Sequence, residues 1–389
     1  MRIGVDATSW VNRRGYGRFA RNALRRLVEL DSETTYVFVL DEESARLAEL
    51  PPGAESLVVR LSRPPVEAAS AESYRPPTDL LRVGFAASRA RFDALLFPSV
   101  YTYFPSIGVP TIVGVHDLIA ADFPELTLPT RRARILWEVK QRTAVRLARR
   151  LFTVSESARR DLSSRFRIPV DRLAVVPEAP DRVFSPRSRP EIHSMLGTIG
   201  LAAESRYLLH AGGISPHKDV ETLLAAFAEL RRTVDPAPKL VVAGALHGDS
   251  YLSSASSVHA RIEELGIGDD VLLPGFVPDA TLACLYAGAA AVVLPSLAEG
   301  FGLPAVEAAA CGAPVVLSDI PAHRETLGNE AIFFPPRDAV ALAERLGQLL
   351  GSDMLRRSLA ERGRQRVARY TWDASAMALQ ELVHEVAGG

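Results

Sequence analysis

Only two cysteines, Cys284 and Cys311, occur in 389 residues. They are too few for a disulfide framework and are not spaced as a zinc site, so both are expected to be reduced packing residues. An excess of charge of either sign is also missing: 45 Lys and Arg against 46 Asp and Glu leave a net −1, with a pI of about 6.7. No global field draws the chain to nucleic acid or anionic lipid, and any electrostatics must be local. Long hydrophobic runs are absent too. The uncharged stretch Leu282 to Ala298 is rich in small residues and broken by Gly288 and Pro295, which predicts a buried helix followed by a strand and no membrane span. Met1-Arg-Ile-Gly-Val-Asp6 reads as a short strand ending in an acid, unlike a secretion signal. A cytoplasmic protein is the expectation.

What is present is ample apolar material, 48% of residues, enough for two cores at this length. Strand-like runs at Ile3 to Val5, Tyr36 to Leu40, Ala94 to Phe97, Thr111 to Val115, Leu151 to Val154 and Leu173 to Val176 alternate with segments of helical period. Such alternation predicts parallel βαβ winding. Pro177, Pro180, Pro186 and Pro190 then cluster in a passage that reads as a linker. The pattern resumes at Tyr207 to Ala211, Leu240 to Ala243, Val271 to Leu273, Ala291 to Leu294 and Pro314 to Leu317. The expected fold class is therefore α/β, with two doubly wound parallel-sheet domains at residues 1–185 and 186–370. Residues 371–389, opening at Trp372, form a last amphipathic helix able to pack on either domain. No internal repeat is evident, and Pro51 to Pro77 reads as a long surface loop or a pair of short strands.

Glu299-Gly-Phe-Gly-Leu-Pro-Ala-Val-Glu307 places two carboxylates eight apart around a glycine loop that leads into a helix. Pro304 suits the first helical position, and Gly300 and Gly302 let backbone N–H groups approach an anion. Glu307 would then lie in the first turn, favoured by the macrodipole, with Glu299 reaching the same ligand from the other side. Taken alone, the two acids read equally well as a helix-start carboxylate and a solvated loop residue. The apolar strand just before them shifts the reading, because strand, glycine turn and helix is where open parallel sheets bind ligands. Two acids around a phosphate seat suggest a nucleotide sugar.

Three further motifs carry candidate chemistry. Gly15-Tyr-Gly17-Arg18-Phe-Ala20 formally matches a dinucleotide fingerprint, but Ala7 to Arg14 separate it from the first strand, so a dehydrogenase is disfavoured. It reads instead as a glycine turn opening a helix, with Arg18 available to a phosphate or an acceptor, or as a tight turn with a solvated arginine. Gly212-Gly213-Ile-Ser-Pro-His-Lys218 runs from a strand into a helix, and a cation at a helix start calls for a compensating anion such as a diphosphate. His116-Asp117 follows a buried strand at the edge where parallel sheets place chemistry. Residues 131–150 hold eight Lys and Arg against Glu138 alone, a net +7. That is usually a solvated face, with peripheral contact to an anionic membrane as the other reading.

Together these residues resemble the retaining glycosyltransferases of family 4, also called group 1, which have the GT-B fold. The resemblance covers nearly the whole chain. Its most specific part is Pro295-Ser-Leu-Ala-Glu299-Gly-Phe-Gly-Leu-Pro304 continuing through Glu307 to Gly312-Ala-Pro314. Support comes from Gly15 to Arg18, His116-Asp117-Leu118 with Phe123-Pro-Glu125, Val154-Ser-Glu-Ser157, the Gly212 to Lys218 loop and Pro274-Gly-Phe-Val277-Pro-Asp279. The resemblance implies that Glu307 holds the donor ribose and Glu299 the transferred sugar, while Phe301, Gly302 and Leu303 offer N–H groups. Lys218 would neutralise the diphosphate, the base would sit near Val277, and His116 would lie near the sugar or the acceptor. Many members carry arginine where Gly213 stands, so one cation is missing here. With no Asp-x-Asp sequence, no essential metal and no cofactor are expected. The donor would be GDP-mannose or UDP-glucose, and the acceptor a glycan, a lipid-linked molecule or another hydroxyl. A nucleotide-sugar epimerase of the same architecture and a non-catalytic sugar-nucleotide binder are the alternatives. The oligomeric state is left open.

Overall fold

A computed structural model describes residues 1–8, 10–12, 15–62, 76–128, 130–244 and 255–388. They form two compact units, one made of residues 1–178 with 371–389 and the other of residues 179–370.

The first unit is built on a seven-stranded sheet of β1 (Arg2–Asp6), β2 (Thr35–Asp41), β3 (Glu55–Val59), β4 (Ala94–Phe97), β5 (Thr111–Gly114), β6 (Arg150–Thr153) and β7 (Leu173–Val175). Its order is β3-β2-β1-β4-β5-β6-β7. Helices α1 (Gly15–Leu30), α2 (Glu42–Leu47), α3 (Pro77–Arg89), α4 (Ile119–Asp122), α5 (Pro124–Thr127), α6 (Arg131–Leu147) and α7 (Glu156–Phe166) connect the strands. Ala94 to Phe97 are all fully buried, as a strand covered on both faces demands. Each such Leu, Val or Phe contributes roughly 1.5–3 kcal/mol of burial.

In the second unit β8 (Tyr207–Ala211), β9 (Lys239–Ala243), β10 (Val271–Gly275), β11 (Ala291–Leu294), β12 (Val315–Ser318) and β13 (Ile332–Phe334) pair in the order β10-β9-β8-β11-β12-β13. The helices in chain order are α8 (Arg189–Thr198), α9 (Val220–Thr233), α10 (Ala255–Leu265), α11 (Asp279–Gly288), α12 (Leu303–Ala310), α13 (Pro321–Leu327), α14 (Ala339–Leu350) and α15 (Asp353–Val367). Leu223, Phe227 and Leu230 of α9 interlock with Leu342, Leu346 and Leu349 of α14 in its core.

The last helix, α16 (Trp372–Gly388), belongs to the first unit and packs along α1. Arg26 holds Asp373 through Nε at 2.5 Å and Nη2 at 3.1 Å. His384 meets Asp31 at 3.0 Å, and the Tyr36 hydroxyl donates to the same carboxylate oxygen at 2.8 Å. Ser375 Oγ donates to the Pro177 carbonyl at 2.6 Å.

One strand was among the alternatives read from the sequence and one was not. β3 runs through the stretch read as a loop or short strands, of which residues 63–75 lie outside the described residues, and β13 had no counterpart. Pro190, read as linker, stands inside α8: the Ser188 N–H and hydroxyl both donate to Glu191, at 2.9 and 2.6 Å, and this capping box starts the helix before the proline.

Gly17 is a packing requirement of α1, whatever else it does. A Cβ there would stand 2.1 Å from the Asn12 carbonyl oxygen. Gly17→Ala is expected to destabilise the protein by roughly 1–3 kcal/mol, read by urea unfolding; an unchanged midpoint would show that the turn simply relaxes.

Candidate functional site

The second sheet reverses its winding between β8 and β11, and the loops leaving those two strands flank the crevice in which open parallel sheets hold ligands. After β8 the chain passes Gly212, at φ +147°, and makes one 3-10 turn over Pro216–Lys218. Asp219, in the left-handed region, then leads into α9. After β11 comes the run from Pro295 to Gly302. The two loops are tied by backbone, Leu297 N–H donating to the His217 carbonyl at 2.8 Å.

Their side chains meet as well. Lys218 Nζ donates to Glu299 Oε1 at 2.6 Å, and Ser296 Oγ donates to the same oxygen at 2.7 Å. Only 16% of the lysine and 10% of the glutamate side chain is exposed. Burial, the largest single influence, works against ionisation of Glu299, but the charge and hydrogen bond of Lys218 together with His323 and His217 outweigh it and hold the carboxyl at about 2. The anion that compensates Lys218 is thus supplied within the protein.

Gly302 caps α12 at φ +85°, a backbone region that suits glycine. Its Cα packs on His323, whose Cδ2 would stand 3.0 Å from a Cβ. The first intrahelical bonds run from Ala305 and Val306 to the Gly302 carbonyl at 2.9 and 3.4 Å, so the N–H groups of Gly302 and Leu303 precede the ladder. Because the left-handed Gly302 lets Leu303 open the helix, Pro304 is its second residue and not its first. Glu307 is consequently the fifth residue and lies beyond the first turn, which corrects the placement read from sequence. Its carboxylate is buried in the second turn, where the dipole supports it less. Burial and, next, this carboxylate push the Cys311 thiol up to about 12. Phe301 turns inward, edge-on to Tyr370 at 5.1 Å. Gly213 is half-buried beside Gly212, and Val277 is half-buried just past β10, two strands over from β8.

Sequence reasoning missed three imidazoles and a hydroxyl around the Lys218–Glu299 pair. His210 Nδ1 donates to the Val293 carbonyl at 3.0 Å and His323 Nδ1 to the Ser318 carbonyl at 2.9 Å; both rings are fully buried, and both Nε2 atoms lack a hydrogen-bond partner. His217 Nδ1 lies 3.2 Å from Ser215 Oγ. Burial first and Lys218 next lower His210 and His217 to about 4, and burial lowers His323 as well. All three are therefore neutral at pH 7. The available signals were Ser296 three residues ahead of Glu299 and His217 next to Lys218. Among the described residues no group of three or more His, Cys, Asp or Glu is placed to hold a metal ion.

The other candidates belong to the first unit. His116 lies just past β5, buried, with Nε2 donating to the Pro98 carbonyl at 2.8 Å and Nδ1 3.7 Å from Glu178 Oε1. Phe19 of α1 meets its ring edge-on at 4.7 Å, which brings the Gly15 to Arg18 turn and His116 to the same end of the sheet. Arg18 is half-buried in the first turn of α1. Asp117 Oδ1 accepts from Ile119 N–H at 2.9 Å at the entry to α4. The Glu178 partner was also missed: it lies far along the chain in the proline-rich passage, with no motif to mark it.

These histidines make the second unit acid-sensitive. A group whose folded pKa is depressed contributes stability that is present above its unfolded pKa and lost as pH falls through the folded one. For His210 and His217 that window runs from 6.5 down to about 4. Each is worth on the order of 3 kcal/mol over the whole window. The unfolding free energy from urea titration is expected to fall by a few kcal/mol between pH 7 and 4.5, and less steeply in His217→Gln. An equal fall in the variant would exclude His217 as a source.

A family profile described as "Glycosyl transferases group 1" matches residues 197–366, and one described as "Glycosyltransferase Family 4" matches residues 13–182. The O-antigen chain mannosyltransferase B of Escherichia coli is 29% identical, over 70% of this chain and 69% of its own. The MMP alpha-(1->4)-mannosyltransferase of Mycolicibacterium hassiacum is 34% identical, over 69% of this chain and 64% of its own, so the chain spans less than two thirds of that relative. Among solved structures, Anabaena HepE in complex with UDP-glucose superposes with a TM-score of 0.75 at 16% identity, covering 99% of both chains, a likeness of fold. With its two parallel α/β units the protein has the GT-B fold, and it belongs to the family 4, group 1 glycosyltransferases, enzymes that transfer sugars.

Proposed function

We propose that this enzyme moves a hexose, mannose as first choice, from a nucleotide diphosphate sugar to a hydroxyl of a glycan, glycolipid or other acceptor, with retention at the anomeric carbon and without a metal ion. The observation that carries this reading is the Lys218–Glu299 pair at the switch of the second sheet, beside a glycine-capped helix start. The mannosyltransferase relatives support the sugar, and the UDP-glucose complex of a protein of like fold supports a nucleotide donor and keeps UDP-glucose as second choice.

Each partner of the pair has a separate use for the donor. Lys218 exchanges Glu299 for the diphosphate, and the N–H groups of Gly302 and Leu303 add fixed donors where charge grows as the sugar–phosphate bond breaks. Glu299, still held by Ser296, then accepts hydroxyls of the transferred sugar. Glu307 takes the ribose hydroxyls, and the base lies towards Val277. In the transfer, the bond from the anomeric carbon to phosphate oxygen breaks and a bond to the acceptor oxygen forms on the same face. The acceptor proton goes to the departing phosphate oxygen. His116 contributes as a ring fixed between Pro98 and Glu178 near the sugar or acceptor, with Gly15, Gly17 and Arg18 at the same end of the first sheet. Lys218 and the helix start counter the diphosphate charge without a metal.

A thermal-shift panel of GDP, UDP and ADP with their sugars tests the donor site. The matching nucleotide raises the melting temperature, since a ligand of the native state stabilises it; no shift with any of them overturns the assignment. Glu299→Gln is expected to lower kcat by about a hundredfold, while nucleoside diphosphate binding holds or tightens because Lys218 is released. A larger loss in nucleotide affinity than in turnover would mean that the two carboxylates are assigned to the wrong ends of the donor. Transfer is expected to persist in EDTA, and NMR of the product to show the donor's anomeric configuration.

A further inference from the structure

Among the described residues, α6 carries a row of four exposed aliphatic side chains along one helix face. Over seventeen residues this helix buries only Gln141, Ala144 and Val145. Ile135, Val139 and Leu147 are each 58% exposed and Leu136 43%. At 3.6 residues per turn these four share an arc of roughly 160° with Arg131, Arg132, Arg142 and Arg146. The buried residues lie opposite. The one acid of the helix, Glu138, sits at the edge of this arc and is held by Arg142 at 2.6 Å and Arg165 at 3.6 Å. Ile135 and Val139 continue into a shallow apolar groove lined also by Ala120, Ala121, Pro124 and Leu128 of the neighbouring short helices and their flanks.

We infer that this face of α6 is a docking surface for an anionic lipid bilayer. Aliphatic side chains alternating with arginines along one face match a phase boundary, with the aliphatics entering the acyl region and the guanidiniums meeting headgroup phosphates. Nucleic acid would satisfy the arginines and leave four aliphatics in water. A second copy of the chain docked through the same face would set two arginine rows against each other. No helix among the described residues is long and apolar enough to cross a membrane, so the contact is peripheral and reversible. It brings the enzyme to acceptors held in that bilayer.

Vesicle sedimentation without nucleotide tests this independently of the donor assignment. The full chain should co-sediment with vesicles of equimolar phosphatidylglycerol and phosphatidylcholine, not with phosphatidylcholine alone, and less in high salt. Each cation at such a surface is worth roughly a factor of five, so replacing Arg131, Arg132 and Arg146 together by Gln lowers partitioning about a hundredfold. Ile135→Ser with Val139→Ser also lowers it, and circular dichroism melting should stay unchanged because all five positions are exposed. The inference is overturned if the wild-type chain ignores anionic vesicles or if both variants bind as well as it does. It is equally overturned if sedimentation velocity finds a dimer that Ile135→Ser dissolves and no lipid binding.

Discussion

The constraint on which everything else rests is that the strands pair in parallel, in both sheets. A parallel strand must be followed by a crossover, usually a helix, so both faces of the sheet are covered and its interior is mostly apolar, His210 of β8 being a buried exception. Polar residues with work to do are pushed to the loops at the carboxyl edge. In the second unit the reversal between β8 and β11 brings two of those loops side by side. Lys218 and Glu299, 81 positions apart in the chain, can then share a hydrogen bond. Their spacing in sequence is incidental; their position in the winding is not.

The fold was legible where burial is complete and illegible where it is partial. β4, β8 and β11 were read with their true boundaries because a strand covered on both faces is a nearly continuous apolar run, broken only by His210 in β8. β3 carries Glu55 and Ser56 exposed and pairs only with β2, so little in its composition separates it from a loop. β13 is three residues long, too short for a pattern. The site was half legible for a related reason. The acids and glycines after β11 lie within one short segment, whereas Ser296 and the three histidines acquire meaning only through the protein around them. Glu307 was placed inside the first turn, one residue early, because proline marks a helix start to within a residue, and here the left-handed Gly302 fixed the start one position sooner.

A chain with almost no net charge still concentrates charge in two opposite ways. At the second sheet's switch, cation and anion are neighbours and the surrounding imidazoles stay neutral, so the site is close to electrically balanced despite its burial. On α6 the balance is abandoned: basic residues far outnumber acids, and they stand beside aliphatics that other parts of the molecule leave bare. The first arrangement suits a ligand that brings its own charges and must displace existing partners. The second suits a partner that is a surface and not a molecule.

The attachment of α16 to α1 makes the second unit an insertion within the first. On the ribosome, Asp31 and Arg26 emerge early, but His384 and Asp373, which engage them, follow only after residues 179–370 have been made. At roughly 5–20 residues per second, that interval is about 10–40 s. The second unit, uninterrupted in sequence, is complete first. During synthesis the side of α1 that receives the last helix is therefore left open, and the first-made part of this enzyme is the last to close.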